Sequence, residues 1–188
     1  IFVFSSNVLS NDLYVSPTGD DNLTYDGVTI ASPWKTLIHA IYNLKAGDTL
    51  HIRSGTYKPA YPLFLRSTYT SQKQGGHPTE EVNSESGTLD LPVTITGYKD
   101  EKVIIDLMDT RVFIHVDNVN YWTIENLNII NSGSAFTVAV QSSADNIVFR
   151  NLYIEALYGG DNSANIKING SGATNITIHN NYLVGPGV

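Results

Sequence analysis

Three stretches of this chain repeat one another. They read Asn-Tyr-Trp-Thr-Ile-Glu-Asn-Leu-Asn-Ile at 120–129, Asp-Asn-Ile-Val-Phe-Arg-Asn-Leu-Tyr-Ile at 145–154 and Thr-Asn-Ile-Thr-Ile-His-Asn-Asn-Tyr-Leu at 174–183. Each is an alternating strand, a polar pair ending in Asn, and a second alternating strand. Asn126 and Asn151 stand 25 residues apart, Asn151 and Asn180 29 apart. A unit of this length cannot bury its apolar face alone and must stack on copies of itself, which makes a solenoid. Strands follow one another here without helices between them. The expectation is therefore an all-β solenoid, a parallel β-helix with an elongated surface suited to polymeric ligands.

A further alternating run precedes each Asn-bearing pair: Val112–Val116, Phe136–Val140 and Ile166–Ile168. A rung is then three strands, with a sharp bend at the repeated Asn. Asn enters the left-handed backbone of such a bend at lower cost than other non-glycine residues. Asn126, Asn151 and Asn180 are thus read as structural residues that stack as a ladder, rung on rung. Alternation places Ile124, Ile129, Phe149, Ile154, Ile176 and Ile178 inside.

The first third reads differently. A strand from Asp12 runs into a polar turn. Ser32 suits a helix N-cap and Pro33 the first helical position, ahead of a helix over 34–44 with Leu37, Ile38, Ile41 and Leu44 on one face. An amphipathic helix here would cap the stack, covering the apolar interior and unpaired edge of the first rung. The chain is one domain on this reading, with residues 1–57 as the cap region and 58–188 as rungs interrupted by a polar loop at 68–88. Residues 1–10 read equally as the tail of a secretory signal and as a first strand.

Composition narrows the partners. The chain of 188 residues carries 11 Lys and Arg against 18 Asp and Glu, a net charge of −7. That argues against nucleic acid. A polyanionic sugar chain would need a local basic patch or bound cations to offset the repulsion. There is no Cys, so disulfides and thiolate metal sites are excluded. No stretch approaches the roughly 20 apolar residues of a membrane helix. Asn22, Asn169 and Asn175 begin Asn-x-Ser/Thr sequons, acceptors only in a eukaryotic secretory pathway.

Tyr14-Val-Ser-Pro-Thr-Gly19, Ala31-Ser-Pro-Trp-Lys-Thr36, Ala46-Gly-Asp-Thr-Leu50, Ser54-Gly-Thr-Tyr57 and Ser86-Gly-Thr-Leu-Asp-Leu-Pro-Val-Thr-Ile-Thr-Gly-Tyr98 occur in that order. Together they resemble the opening of secreted right-handed parallel β-helix proteins of the pectate-lyase-like superfamily, and the resemblance covers nearly the whole chain. It implies a secreted or cell-surface protein associated with carbohydrate, similar to the N-terminal part of a polysaccharide lyase that acts on or binds an acidic polysaccharide. Lyases of that superfamily use a basic residue and calcium-binding carboxylates, often several rungs further on. About three rungs are legible here, so the chain resembles the first part of a longer protein, and this piece alone is expected to lack β-elimination activity. The alternative is a non-catalytic structural or adhesive β-helix that self-associates end to end.

Candidate site residues follow from the alternation. With Ile114, Val138, Val140, Ile166 and Ile168 inside, His115, Thr137, Ala139, Gln141, Lys167 and Asn169 face out as a polar strip. Lys167 is its only Lys and the candidate base for removing a proton beside a uronate carboxylate; the plain reading is a solvated Lys. His115, Gln141, Asn169 and Tyr158 are the candidate substrate contacts. Glu155 and Asp161, six residues apart in a Gly-containing turn, are candidate Ca²⁺ ligands or simply a polar turn, as are Asp106 and Asp109. Tyr153 and Tyr182 occupy equivalent strands and are expected to stack on one another.

Overall fold

The computed structural model describes residues 10–22, 24, 26–67, 84–109, 112–157, 159 and 163–185. Fifteen strands and one helix follow in the order β1 (Asp12–Val15), α1 (Leu37–Tyr42), β2 (Thr49–Ile52), β3 (Gly55–Tyr57), β4 (Leu63–Arg66), β5 (Val93–Gly97), β6 (Val103–Asp106), β7 (Ile114–Asp117), β8 (Asn120–Glu125), β9 (Asn128–Ser132), β10 (Phe136–Gln141), β11 (Asp145–Arg150), β12 (Tyr153–Ala156), β13 (Ala164–Ile168), β14 (Thr174–His179) and β15 (Tyr182–Val184). Every third strand returns to the same sheet. Three sheets result: six strands ordered β1-β2-β5-β8-β11-β14, five ordered β3-β6-β9-β12-β15 and four ordered β4-β7-β10-β13. All pairings are parallel. The chain is a parallel β-helix of four three-stranded turns, β2–β4, β5–β7, β8–β10 and β11–β13, with β1 below and β14–β15 above.

The interior is built of apolar rows running from turn to turn. In the six-stranded sheet Leu13, Leu50, Ile95, Ile124, Phe149 and Ile178 are successive register partners. In the five-stranded sheet the row is Tyr57, Ile105, Ile129, Ile154 and Leu183. In the four-stranded sheet Leu65, Val116, Val140 and Ile168 align. Ile124, Ile129, Phe149 and Ile154 are fully buried, as the alternation predicts. Each fully buried Leu, Ile or Phe contributes roughly 1.5–3 kcal/mol. Ile176 is only partly buried, and Ile178, although in register with Phe149, is 42% exposed. The reason is positional. Ile168, Ile178 and Leu183 end one row in each sheet, and among the described residues no strand lies over them.

The bends use left-handed backbone in columns. Asn126, Asn151 and Asn180 have φ of 57°, 54° and 55°. The Asn151 side chain donates to Oδ1 of Asn126 at 3.2 Å, and Asn126 donates to Thr96 Oγ1 at 2.9 Å. One turn below Asn126 the column holds Gly97, where a Cβ would lie 2.4 Å from the Asn126 carbonyl oxygen. A second column, Tyr121, Asn146 and Asn175, is also left-handed, at the start of β8, β11 and β14. Tyr153 and Tyr182 stack with ring centroids 5.6 Å apart.

Two expectations at the N-terminal end change. The helix starts at Leu37, not Trp34, and its N-cap is Thr36, whose hydroxyl accepts the His39 N–H at 3.3 Å. Ser32 instead bonds Asp26 and Thr29. Trp34 is held extended by its bridge to Val15, and that pairing delays the helix. Leu37, Ala40, Ile41 and Leu44 are buried in the continuous core, so α1 does cover the interior. The coil also begins earlier than residue 58, since β2 and β3 already pair with β5 and β6. Of the polar loop at 68–88, residues 68–83 lie outside the described residues. Ser84–Thr88 run beside the stack: Ser84 N–H donates to Arg66 O, and the Glu85 carbonyl accepts the Trp122 indole at 2.9 Å.

Candidate functional site: the outer face of the four-stranded sheet

The polar strip expected from the sequence lies on the outside of β4, β7, β10 and β13. Strand register arranges it as two lines. Phe64, His115, Ala139 and Lys167 are successive partners, and Arg66, Asp117 and Gln141 form the neighbouring line. Asn169 follows just beyond β13 and is exposed; its N–H donates to Val140 O at 2.8 Å. Adjacent strands lie about 4.8 Å apart, so His115 and Lys167, two strands apart, are separated by about 10 Å at the backbone.

Several side chains differ from the expectation. Thr137 and Ala139 are buried rather than displayed. The Lys167 Nζ lies 5.6 Å from the centroid of the Phe136 ring, a cation–π contact. His115 is no solvated polar residue. Its ring stacks on Phe64 at 4.8 Å with an 11° interplanar angle and meets Phe136 edge-on at 5.8 Å. Burial, with the Arg66 guanidinium adding to it and Asp117 opposing both, lowers its pKa to about 4. The imidazole is therefore neutral near pH 7, and its buried Nδ1 has no hydrogen-bond partner.

Arg66 is the residue that sequence reasoning missed. The signal was Leu63-Phe-Leu-Arg66, a four-residue alternation too short to mark a rung before the stack was seen. Its guanidinium lies 4.3 Å from the Phe64 centroid and its Nε 3.7 Å from Asp117 Oδ2, too far for a hydrogen bond. That Nε is buried and unpartnered. Tyr42 of α1 closes this end: burial raises its pKa, while a hydrogen bond with the Phe64 backbone and the charge of Arg66 lower it.

The structure brings His115, Gln141 and Lys167 onto one face and adds Arg66, Asp117, Phe64 and Phe136. It does not bring Glu155 there. Glu155 lies on β12 of the five-stranded sheet, opposite Val184. Asp161 and Tyr158 lie outside the described residues. Among the described residues no three His, Asp or Glu side chains gather as a metal set. Asp106 does serve its turn, accepting from Met108 N–H and the Asn131 side chain. Two cations and two aromatic rings on one face are suited to hold carboxylates spaced along an extended polymer.

Residues 13–183 match the model of the family described as Pel9A-like, right handed beta helix region. The chain belongs to that family. Its coil is accordingly a right-handed parallel β-helix of the pectate-lyase-like kind. Pectate lyase PEL9 of Emericella nidulans is 28% identical over 139 residues, which are 66% of this chain and 29% of that protein. A GH136 lacto-N-biosidase from Eubacterium ramulus superposes with a TM-score of 0.68 at 19% identity, covering 94% of this chain and 34% of the other. A rhamnogalacturonan lyase superposes with a TM-score of 0.60 at 19% identity, covering 94% and 43%. At such identities the two structures share the fold with this Pel9A-like chain, which spans less than a third of the length of PEL9.

Proposed function

We propose that this Pel9A-like chain is part of an extracellular carbohydrate-associated protein, related to polysaccharide lyases, that acts on or binds an acidic polysaccharide through the outer face of its four-stranded sheet. The observation that carries the reading is the family membership across residues 13–183, joined to the names of its relatives, a pectate lyase, a rhamnogalacturonan lyase and a lacto-N-biosidase. Location outside the cell is inferred from the same resemblance.

The chemistry of the face supports binding better than turnover. Arg66 offers a planar fork of donors to a uronate carboxylate. Lys167, held over Phe136, supplies a second cation about three strand spacings from β4, roughly 14 Å away. Phe64 and Phe136 offer apolar surface to sugar rings. β-Elimination needs more: a base at the proton beside the carboxylate, neutralisation of that carboxylate, and the sugar held in register with both. Lys167 remains the candidate base and Glu155 with Asp161 the candidate Ca²⁺ pair in this proposal. Gln141, Asn169 and Tyr158 would be contacts flanking the bound chain.

Affinity electrophoresis through gels containing pectate, alginate or a glycosaminoglycan, with and without Ca²⁺, tests the reading. Retardation by at least one acidic polymer, relieved by salt and by Arg66→Met with Lys167→Met, is expected. Unsaturated-product absorbance should stay flat for the 188-residue chain. Migration indifferent to every acidic polymer would overturn the binding face. Turnover lost in Lys167→Ala would make the face a catalytic one.

A further inference from the structure

A second concavity lies at the N-terminal end and shares no residue with the sheet face. It opens between α1 and the crossover from β3 to β4, with a volume of about 390 Å³, within the usual range of small-ligand sites. Leu37 and Ile38 of α1 form one wall, and Tyr57, Pro59 and Tyr61 the other. The Tyr57 ring is fixed, because its hydroxyl shares its one proton between the carbonyls of Val15 at 3.0 Å and Arg53 at 2.9 Å. The wall is therefore rigid as well as apolar.

The charge of the lining is unusual for this chain. In a protein of net charge −7, the charged lining residues are Lys35 and Lys58, and no Asp or Glu joins them. Nearby carboxylates are already engaged. Asp21 accepts the N–H groups of Lys35 and Thr36 and the Thr36 hydroxyl. Asp106 stands 3.5 Å from Lys58 Nζ but also accepts from Met108 N–H and Asn131 Nδ2. The Lys58 ammonium carries three N–H donors, so that one longer contact leaves it able to take another acceptor. Thr36 and Thr56 also belong to the lining.

We propose that this pocket binds a carboxylate carried on a six-membered ring, with the ring packed between Ile38 and Tyr61 and the carboxylate between Lys35 and Lys58. A single uronic acid unit and a cyclic hydrocarbon acid share that chemistry. The apolar walls recognise the ring face, and the two ammonium groups select for the anion. The inference is independent of the sheet-face reading, since it uses none of the same side chains.

Ligand-observed saturation-transfer NMR and calorimetry on the whole chain test it, with D-galacturonate, cyclohexanecarboxylate and neutral methyl glucoside as probes. At least one acid should bind, and the neutral sugar should bind at least tenfold more weakly. Binding of galacturonate alone identifies a sugar ligand, and binding of cyclohexanecarboxylate alone a hydrocarbon one. Lys35→Met with Lys58→Met should weaken the acid at least tenfold. Ala60→Trp, which fills the cavity while keeping both lysines, should abolish binding with thermal unfolding unchanged, and it serves as the readout if the double variant does not fold. Arg66→Met with Lys167→Met should bind as the parent does. The proposal is overturned if neither acid binds, if methyl glucoside binds equally well, or if affinity survives the pocket changes and is lost in the sheet-face variant. That last result would leave the polysaccharide reading standing.

Discussion

The outer faces of the six-stranded and four-stranded sheets come from the same coil, yet they treat their polar groups differently. On the six-stranded sheet every neighbouring pair of turns is stapled. Asp12 accepts or shares a proton with His51 at 2.8 Å, and Arg53 grips Glu101 through contacts of 2.7–3.0 Å. Asn126 reaches Thr96, Arg150 pairs with Glu125, and Asp145 accepts from Thr174 at 2.6 Å and Asn175 at 2.9 Å. On the four-stranded sheet Arg66 and Asp117 stop 3.7 Å apart, and Arg66 Nε, His115 Nδ1, Thr137 Oγ1 and Asn165 Oδ1 are buried without a hydrogen bond. Only Asn120 Oδ1 is in that state on the six-stranded sheet, among the described residues. A buried unmet polar atom costs about 1–3 kcal/mol. The four-stranded sheet leaves several such atoms unmet where the six-stranded sheet leaves one, and it is the six-stranded sheet whose side chains tie turn to turn.

The largest effects should come from the core beneath both faces, and they set the scale. Phe149→Ala should cost about 3–5 kcal/mol. Ile178→Ala, in the same row but 42% exposed, should cost less than about 1 kcal/mol. Chemical denaturation of the two variants checks this, and equal losses would mean that something covers the last turn.

Next comes pH. His115 has its folded pKa depressed to about 4, so between that value and its ordinary range near 6.5 the unfolded chain binds more protons. Stability then falls as pH drops through this window, by at most about 3 kcal/mol, and is fully present above it. Thermal unfolding of the parent at pH 4.5 and 7 should show the loss, and His115→Phe, which keeps the aromatic stack, should remove its share. An unchanged pH slope in that variant would mean that the four-stranded face does not bury its histidine.

Asn151→Ala should lose about 1–2 kcal/mol, from the bond to Asn126 and from forcing alanine to φ of 54°. Asn151→Gly, free of the backbone strain, should lose less. A stability order with glycine below alanine would place the cost elsewhere.

The smallest difference is the most direct test of the two faces. Arg53→Met should cost about 1 kcal/mol, because Glu101 loses its partner at a site only partly exposed. Arg66→Met should stay within about 0.5 kcal/mol of the parent, because it removes an unpaired donor. If Arg66→Met proves the more costly, the four-stranded face is a staple as well, and the contrast fails.

Much of the fold was legible because its signal is local and repeated. Alternation in 120–129, 145–154 and 174–183 reports side-chain direction with period two, and Asn at each bend reports a left-handed backbone. Those two facts suffice to order the strands, fill the interior and place Tyr153 on Tyr182. The helix start was misjudged because Ser32 and Pro33 have the local chemistry of a cap, while the pairing of Trp34 with Val15 is a long-range event. The strip containing His115, Gln141 and Lys167 was likewise legible from alternation.

The character of that strip was not. Whether His115 is a solvated base or a neutral ring between phenylalanines depends on Phe64, 51 residues earlier in the chain. Arg66 entered the face only when β4 closed the first turn. The pocket at Lys35 and Lys58 joins a helix to a crossover with no shared motif. Sequence by itself determined the period, the bends and the inward rows, because each is set by a residue and its near neighbours. The tertiary structure alone decided which outward groups meet, which are buried and which lack a partner, because burial and pairing depend on what the coil stacks one turn above and below.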